Sequence, residues 1–370
     1  MKRLLTLSLL TLFLAACKGT TTTEPIKVGF IGPLTGEVSA LGKDILHGAQ
    51  IKLDEINATG GISGQQVVLI AEDGRCNATD AASAAQKLVQ VDKVVAIHGG
   101  ECSAETIAAA PIAEAAKVVM LSPSSSSPDV TKAGDFIFRD YPSDALKTQA
   151  MAKYFSNKEL TKVAIIAENS DFTVGFRDSL KKDLPEGALV FNETVDPGTK
   201  DFRTLLTRLK GADIDVLVDD LNSPANIALL LQQFREQGFK QLVISHDLGD
   251  SLEIPKLIGK ASEGFQVINV PTLDPSGDFG EKFIGKYGEP QANLAWGGYG
   301  YDVMGILLQA ISSAGTDGTA IRDYLYQMSS YDGVIAKVSF DENGDIRGIP
   351  YVLREVKDGI FVNVSDITVN

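Results

Sequence analysis

The sequence predicts two doubly wound α/β lobes joined by crossing strands. Short apolar, β-branched runs alternate with stretches of helical spacing, the alternation that builds parallel sheets with right-handed crossovers. The series runs through residues 26–138 and again through 163–270, and Arg139-Asp140-Tyr141-Pro142 interrupts it between the two. A chain of 370 residues is long enough for two cores.

The first series opens on IKVGFI (26–31), a run suited to a buried strand, turned by Gly32-Pro33-Leu34-Thr35-Gly36. Ile45, Ala49, Leu53 and Ile56 then recur at helical spacing over 41–57, and Asn57-Ala58-Thr59-Gly60-Gly61 ends that helix. A strand at 67–71 and a helix at 78–91 lead to the stretch that organises the lobe, residues 94–129. There VVAI breaks into His98-Gly99-Gly100-Glu101-Cys102-Ser103, a helical segment follows, and VVML breaks into a serine run held between Pro123 and Pro128. Parallel neighbours empty such loops at one edge, where open α/β sheets bind ligands. Ser103 is expected to cap a helix starting near Ala104, with Glu105 in its first turn, so that free N–H groups face the crevice and suit a carboxylate. The alternative is local: Ser103 caps its own helix and the serines form a loop.

The second series reads as strands at 163–167, 189–195, 216–219, 242–245 and 265–270, with helices at 174–182, 202–210 and 225–237. Asn269-Val270-Pro271 reads as a return crossing. Helices at 278–287, 296–314 and 319–328 rejoin the first lobe, and runs at 334–340 and 350–356 form a hairpin-like ending around Asp341-Glu342-Asn343-Gly344-Asp345.

A formal charge of -14 with no Lys/Arg cluster beyond pairs such as Lys181-Lys182 argues against nucleic acid as a partner. At the N-terminus, Lys2-Arg3, an apolar stretch over 4–14 and Leu14-Ala15-Ala16-Cys17 resemble a bacterial lipoprotein signal. The implication is cleavage before Cys17, lipid on its thiol, and a polar tether, KGTTTT, placing the domain outside the cytoplasm at the cell envelope. Of the other cysteines, Cys76 and Cys102 follow successive strands, and an exported compartment permits a disulfide between them. Metal binding by this pair with His98 is the rival reading, but it lacks CxxC or HxxxH spacing.

Catalytic motifs are weak. Asp341, Asn343 and Asp345 suggest a calcium loop, yet Ile346 and Val352 stand where its glycine and closing glutamate belong, so a turn is the better account. Ser179-Leu180-Lys181-Lys182 has SxxK spacing without companion motifs. The serines with His246-Asp247 make a poor triad, because adjacent residues of an extended loop point apart and no GxSxG elbow is present. No cofactor motif appears, and an envelope hydrolase using Ser125 or Ser126 would lack a base. What remains is a set of polar loops at strand ends: hydroxyls and a helix N-terminus in the first lobe; carboxylates at 168–172, 219–223 and 245–247 in the second. A zwitterion bridging the lobes would put its carboxylate on the first and its ammonium on the second.

IKVGFIGPLTG, INATGGISG, the paired Cys76 and Cys102, LSPSSSSPDVT, KDFRTLLTRLKGADIDVLV and FDENGDIRG, in this order, make the chain resemble the periplasmic solute-binding proteins of the leucine/isoleucine/valine-binding type. The resemblance implies the type I architecture, with two Rossmann-like lobes joined by three crossing strands: 26–141 with 272–347, and 142–271 with 348–370, after a signal peptide at 1–16 and a tether at 17–25. It also implies hinge closure on an amino acid, delivery to an ABC-type permease and no catalysis. Ser103, Ser124, Ser125 and Ser126 fall on the family's carboxylate and amino-group contacts, and Asp247 on its acidic partner for the α-ammonium. Phe172 falls on an aromatic cover, Asn222 near another aromatic contact, and Leu41 on a position that often holds an aromatic residue. An envelope sensor subunit, or a binder of small amides or carboxylates, is the alternative. Asp219, Asp220 and Glu101 depart from the pattern; were Asp220 to line the cleft, a polar or cationic ligand side chain would follow.

Overall fold

The computed structural model describes residues 24–348 and 350–367. The expected signal peptide, Cys17 and most of the tether lie outside them. Lobe one holds β1 (Ile26–Gly32), α1 (Ser39–Ala58), β2 (Val67–Asp73), α2 (Ala78–Gln86), β3 (Ala96–Gly99), α3 (Ser103–Ala116), β4 (Val119–Ser122) and β5 (Ile137–Arg139). Lobe two follows with α4 (Asp144–Asn157), β6 (Val163–Glu168), α5 (Asp171–Asp183), β7 (Leu189–Val195), α6 (Arg203–Leu209), β8 (Val216–Asp220), α7 (Pro224–Glu236), β9 (Leu242–Ser245), α8 (Glu253–Ile258) and β10 (Gln266–Asn269). The chain then returns to lobe one for α9 (Asp278–Tyr287), α10 (Leu294–Ala314), α11 (Gly318–Gln327), β11 (Tyr331–Asp332) and β12 (Lys337–Val338), and crosses back for β13 (Tyr351–Lys357) and β14 (Ile360–Ile367).

The two sheets repeat one topology. Lobe one has the order β2-β1-β3-β4-β5, and lobe two runs β7-β6-β8-β9-β10 before β13 and β14 add antiparallel strands. Each lobe therefore reverses strand order beside its first strand, and the loops leaving the strands there flank a crevice. The inner parallel strands are buried on both faces, β6 and β8 throughout, while the edge strands β2 and β7 are partly exposed.

Helix α10 is buried on almost every side and packs backbone to backbone on α1. A Cβ on Gly48 would fall 1.8 Å from the Gly297 carbonyl oxygen, and one on Gly300 would fall 2.1 Å from that of Ile45. Only glycine permits this approach, which sets the first turn of α10, with Trp296, at the crevice. The crossings are cross-braced. Arg139, wholly buried, donates to both Asp345 carboxylate oxygens at 2.6 and 2.8 Å and to the Ser127 carbonyl at 2.9 Å. Tyr141 of the first crossing donates to Asn269 Oδ1 of the second at 3.0 Å.

Two expectations need correction. The runs at 334–340 and 350–356 do not pair as a hairpin; β12 pairs with β11, and β13 with β10 and β14. A Phe340–Ile346 bridge closes the turn after the first run, where Asp341 Oδ1 accepts from Asn343 N at 2.8 Å and Asp345 N at 3.0 Å. The true hairpin turns at Asp358-Gly359, whose φ values of 52° and 78° are those an Asp-Gly turn favours. Second, residues 144–157, given no structure by the sequence reading, form α4, with Ser143 Oγ accepting from Ala145 N at 3.3 Å.

Candidate functional site

Between the lobes lies a cleft of about 540 Å³ of empty space, mouth included, and nearly every residue lining it follows the C-terminal end of a strand. From lobe one come Val38 and Leu41 after β1, Cys76 after β2, Glu101 to Ala104 from the loop after β3 and the start of α3, Ser124 and Ser126 after β4, and Trp296 of α10. Lobe two contributes Ser170 and Phe172 after β6, Asn222 after β8, and Asp247 and Leu248 after β9.

The lobe-one wall is a helix N-terminus held rigidly. Ser103 is the first residue of α3 and Cys102 precedes it, so Ser103 is not the cap: its Oγ accepts from Ser127 N at 3.1 Å, tying the helix to the serine run. Glu105 reaches back to accept from Glu101 N at 2.9 Å, Cys102 N at 3.0 Å and Cys76 N at 2.8 Å. The Cys76–Cys102 disulfide joins the same two loops; closing 26 residues of chain, it contributes about 3.5 kcal/mol on a loop-entropy argument. These partners leave the first-turn N–H groups of Ser103 and Ala104, which have no carbonyl a turn behind them, at the cleft wall. Ser124 Oγ donates to the Glu101 carbonyl at 2.7 Å. The wall suits an anion. The rival metal reading loses its ligands, since both cysteines are bonded and His98 Nε2 meets the Gly300 carbonyl oxygen at 3.0 Å in the core.

The lobe-two wall is acidic. Asp247 borders the cleft from a tight turn after β9, and its Oδ1 takes an ion pair from Lys147 of α4. The same ammonium donates to Asp144 Oδ1 at 2.9 Å, and the side chains of Lys147 and Asp144 are fully buried. Burial works to raise the Asp247 pKa, but Lys147 and, less, His246 prevail and hold it below the usual carboxylate range. Two carboxylates share one cation, so the cluster is short of a positive charge when both are ionised. Phe172 stands edge-on to the His246 ring at 4.7 Å, fixed by α5, whose cap Ser170 accepts from Thr173 N at 3.3 Å.

Of the residues expected from sequence, Ser103, Ser124, Ser126, Leu41, Phe172, Asn222 and Asp247 are brought together around the cleft. Ser125 stands behind the wall: its hydroxyl lies 2.6 Å from Thr106 Oγ1 and donates to the Gly100 carbonyl at 3.0 Å. Asp219 and Asp220 are fully buried within lobe two and do not border the cleft, which removes the argument from Asp220 about ligand polarity. Glu101 does border it. Trp296 also lines it, while Tyr299 stays in the core.

The buried acids give ligand-free stability a defined pH dependence. Burial raises Glu101, Asp140, Asp219 and Asp220 well above the carboxylate range, Glu105 to about 7 and Asp302 to about 6. Groups with raised folded pKa values take up protons in the folded chain first, so the stability they contribute is lost as pH rises. Burial also lowers His98 and His246 to about 4, which costs stability only below the ordinary histidine pKa, where the unfolded chain protonates. Unfolding stability should therefore increase when pH falls from roughly 8 to 6.5, by about 1 kcal/mol from Glu105 alone, and go on rising more gradually below that, because the protonated buried acids outnumber the two buried histidines. A urea titration that finds stability unchanged or falling over that interval would contradict these protonation states.

Twin doubly wound lobes around a cleft at their strand ends define a two-lobed binding protein of the type I class. The chain belongs to the periplasmic binding protein family, whose profile it matches over residues 25–359. The Leu/Ile/Val-binding protein of Escherichia coli K12 is 28% identical over 338 residues, covering 89% of this chain and 90% of that protein. The Leu/Ile/Val-binding protein homolog 2 of Brucella abortus is 30% identical over 351 residues, with 92% and 93% covered. Among solved structures, the leucine-binding protein LivK of Thermotoga maritima superposes with a TM-score of 0.84 at 30% identity, covering 92% of this chain and 98% of that one. The branched-chain amino-acid protein LivJ of Streptococcus pneumoniae, in complex with isoleucine, gives 0.81 at 26%, covering 92% and 100%.

Proposed function

We propose that this chain is a lipid-anchored, extracytoplasmic binding protein that captures an α-amino acid between its lobes and delivers it to an ABC-type permease, without catalysing a reaction. The observation that carries the reading is the pair of opposed walls: helix N–H groups and hydroxyls from Ser103 to Ser126 on one lobe, Asp247 on the other. In this reading Ser103, Ser124 and Ser126 take the ligand carboxylate, Asp247 the ammonium, and Phe172, Leu41 and Asn222 flank the rest, while Ser125 braces the serine run. The LAAC sequence at 14–17 supports cleavage and lipidation at Cys17. The lobes comprise 26–141 with 272–347, and 142–271 with 348–370. Closure would follow from a ligand touching both walls, because only differential affinity shifts an open–closed equilibrium.

A thermal-shift screen of the domain, stripped of bound solute, against α-amino acids, small amides, carboxylates and sugars tests this. A ligand at about a hundred times its Kd adds roughly 2.7 kcal/mol to stability. The expected shift is confined to α-amino acids. A shift with simple carboxylates alone would dismiss Asp247 as an ammonium site, and its existing bond to Lys147 makes that the outcome most worth excluding.

A further inference from the structure

Under the amino-acid reading each polar group of the cleft has a task except one. The hydroxyls and helix N–H groups of α3 take the carboxylate and Asp247 the ammonium, which leaves the Glu101 side chain. The residue borders the cleft and is only 2% exposed, and neither of its carboxyl oxygens has a hydrogen-bond partner among the described residues. Its backbone is fixed: the N–H donates to Glu105 at 2.9 Å and the carbonyl accepts from Ser124 at 2.7 Å. The carboxyl has a place made for it, because a Cβ on Gly32 would fall 2.4 Å from its Oε2. The surfaces sharing that lobe-one wall, Val38, Leu41, the Cys76–Cys102 disulfide and Trp296, cannot complement it. Burial and the neighbouring Glu105 disfavour its charge, so it is either neutral, a donor and acceptor together, or met by a cation.

We infer that Glu101 selects the ligand side chain, and that the solute is an amino acid whose side chain ends in an N–H donor, a primary amide or an ammonium, rather than a branched aliphatic one. This rests on the amino-acid reading. An aliphatic side chain would leave the carboxyl unpaired when the cleft closes over it, whereas an amide forms a reciprocal pair of hydrogen bonds with a carboxylic acid and an ammonium forms an ion pair with a carboxylate.

The test is titration calorimetry with two near-isosteric pairs, asparagine against leucine and lysine against norleucine, on the unaltered protein, Glu101→Leu and Glu101→Gln. In the unaltered protein at least one donor-bearing member should bind roughly tenfold or more tightly than its apolar isostere. Glu101→Leu should reverse that preference while melting at or above the parent temperature, since it removes an unpartnered carboxyl. Glu101→Gln should keep a preference for asparagine and lose one for lysine, which separates the amide from the cation. Equal or tighter binding of leucine or norleucine to the unaltered protein, or a Glu101→Leu variant with unchanged ratios, overturns the inference and leaves the amino-acid reading standing. If no α-amino acid binds the unaltered protein, that reading falls and takes this one with it.

Discussion

Lys147→Met should cost about 3–5 kcal/mol of unfolding free energy at pH 8, because it strands Asp144 and Asp247 together in a buried site. The Lys147 side chain is wholly buried, carries both ion pairs and lies 5.2 Å from the Tyr141 ring centroid. Methionine fills similar volume and supplies no charge, so packing loss is minor beside electrostatics. In the parent chain Asp247 has a depressed pKa and contributes stability above the ordinary Asp value, lost only as pH falls through the folded pKa. Without the ammonium, burial and mutual repulsion raise both carboxyls, and the sign reverses: the deficit is full at pH 8 and shrinks towards pH 5 as the acids protonate. Urea unfolding at the two pH values measures this. A deficit under about 1 kcal/mol and independent of pH would mean that the three groups are not a charge cluster. The ligand adds a further contrast, since its ammonium replaces the missing one, so the ligand-induced rise in melting temperature should be larger in the variant than in the parent.

That cluster also explains what could be read from sequence. The strands were legible because parallel sheets bury both faces, and runs such as VVAI, VVML and VAIIAE have no other stable place. The cleft loops followed, since strand ends face one edge. Helix α4 has a weak signature because the first half of its buried face carries Asp144, Lys147 and Thr148, which leave the apolar periodicity that marks a helix only to Met151, Tyr154 and Phe155. The partnership of Lys147 with Asp247 spans 100 residues and has no local signature. At the end of the chain the run at 350–356 pairs forwards, across the strong hairpin signal Asp358-Gly359, because the segment before it is a crossing between lobes and offers no partner strand. Whether an acid at a strand end faces the cleft depends on how the chain leaves the sheet: Asp219 and Asp220 complete the strand β8 and stay inside, while Glu101 follows β3 and reaches the cleft.

Asp247→Asn should separate binding from folding in the opposite sense. Asparagine keeps the shape and removes the charge, leaving Lys147 with Asp144 as a one-to-one pair, so stability should change by less than about 2 kcal/mol. No anionic oxygen then lines the cleft at that turn to meet the ligand's α-ammonium. Truncating one side of a buried charge pair costs about 2–5 kcal/mol of affinity, roughly thirty-fold to several thousand-fold. Titration calorimetry with the amino acid identified by the screen, and with the matching acid that lacks the ammonium, reads both halves of the clamp. The parent should prefer the amino acid strongly, and Asp247→Asn should bind the two nearly alike, because the helix N-terminus at Ser103 still holds the carboxylate. If the variant keeps the parent's preference, the ammonium is received elsewhere, and the Lys147–Asp247 bond is a closed structural pair rather than half of a binding site.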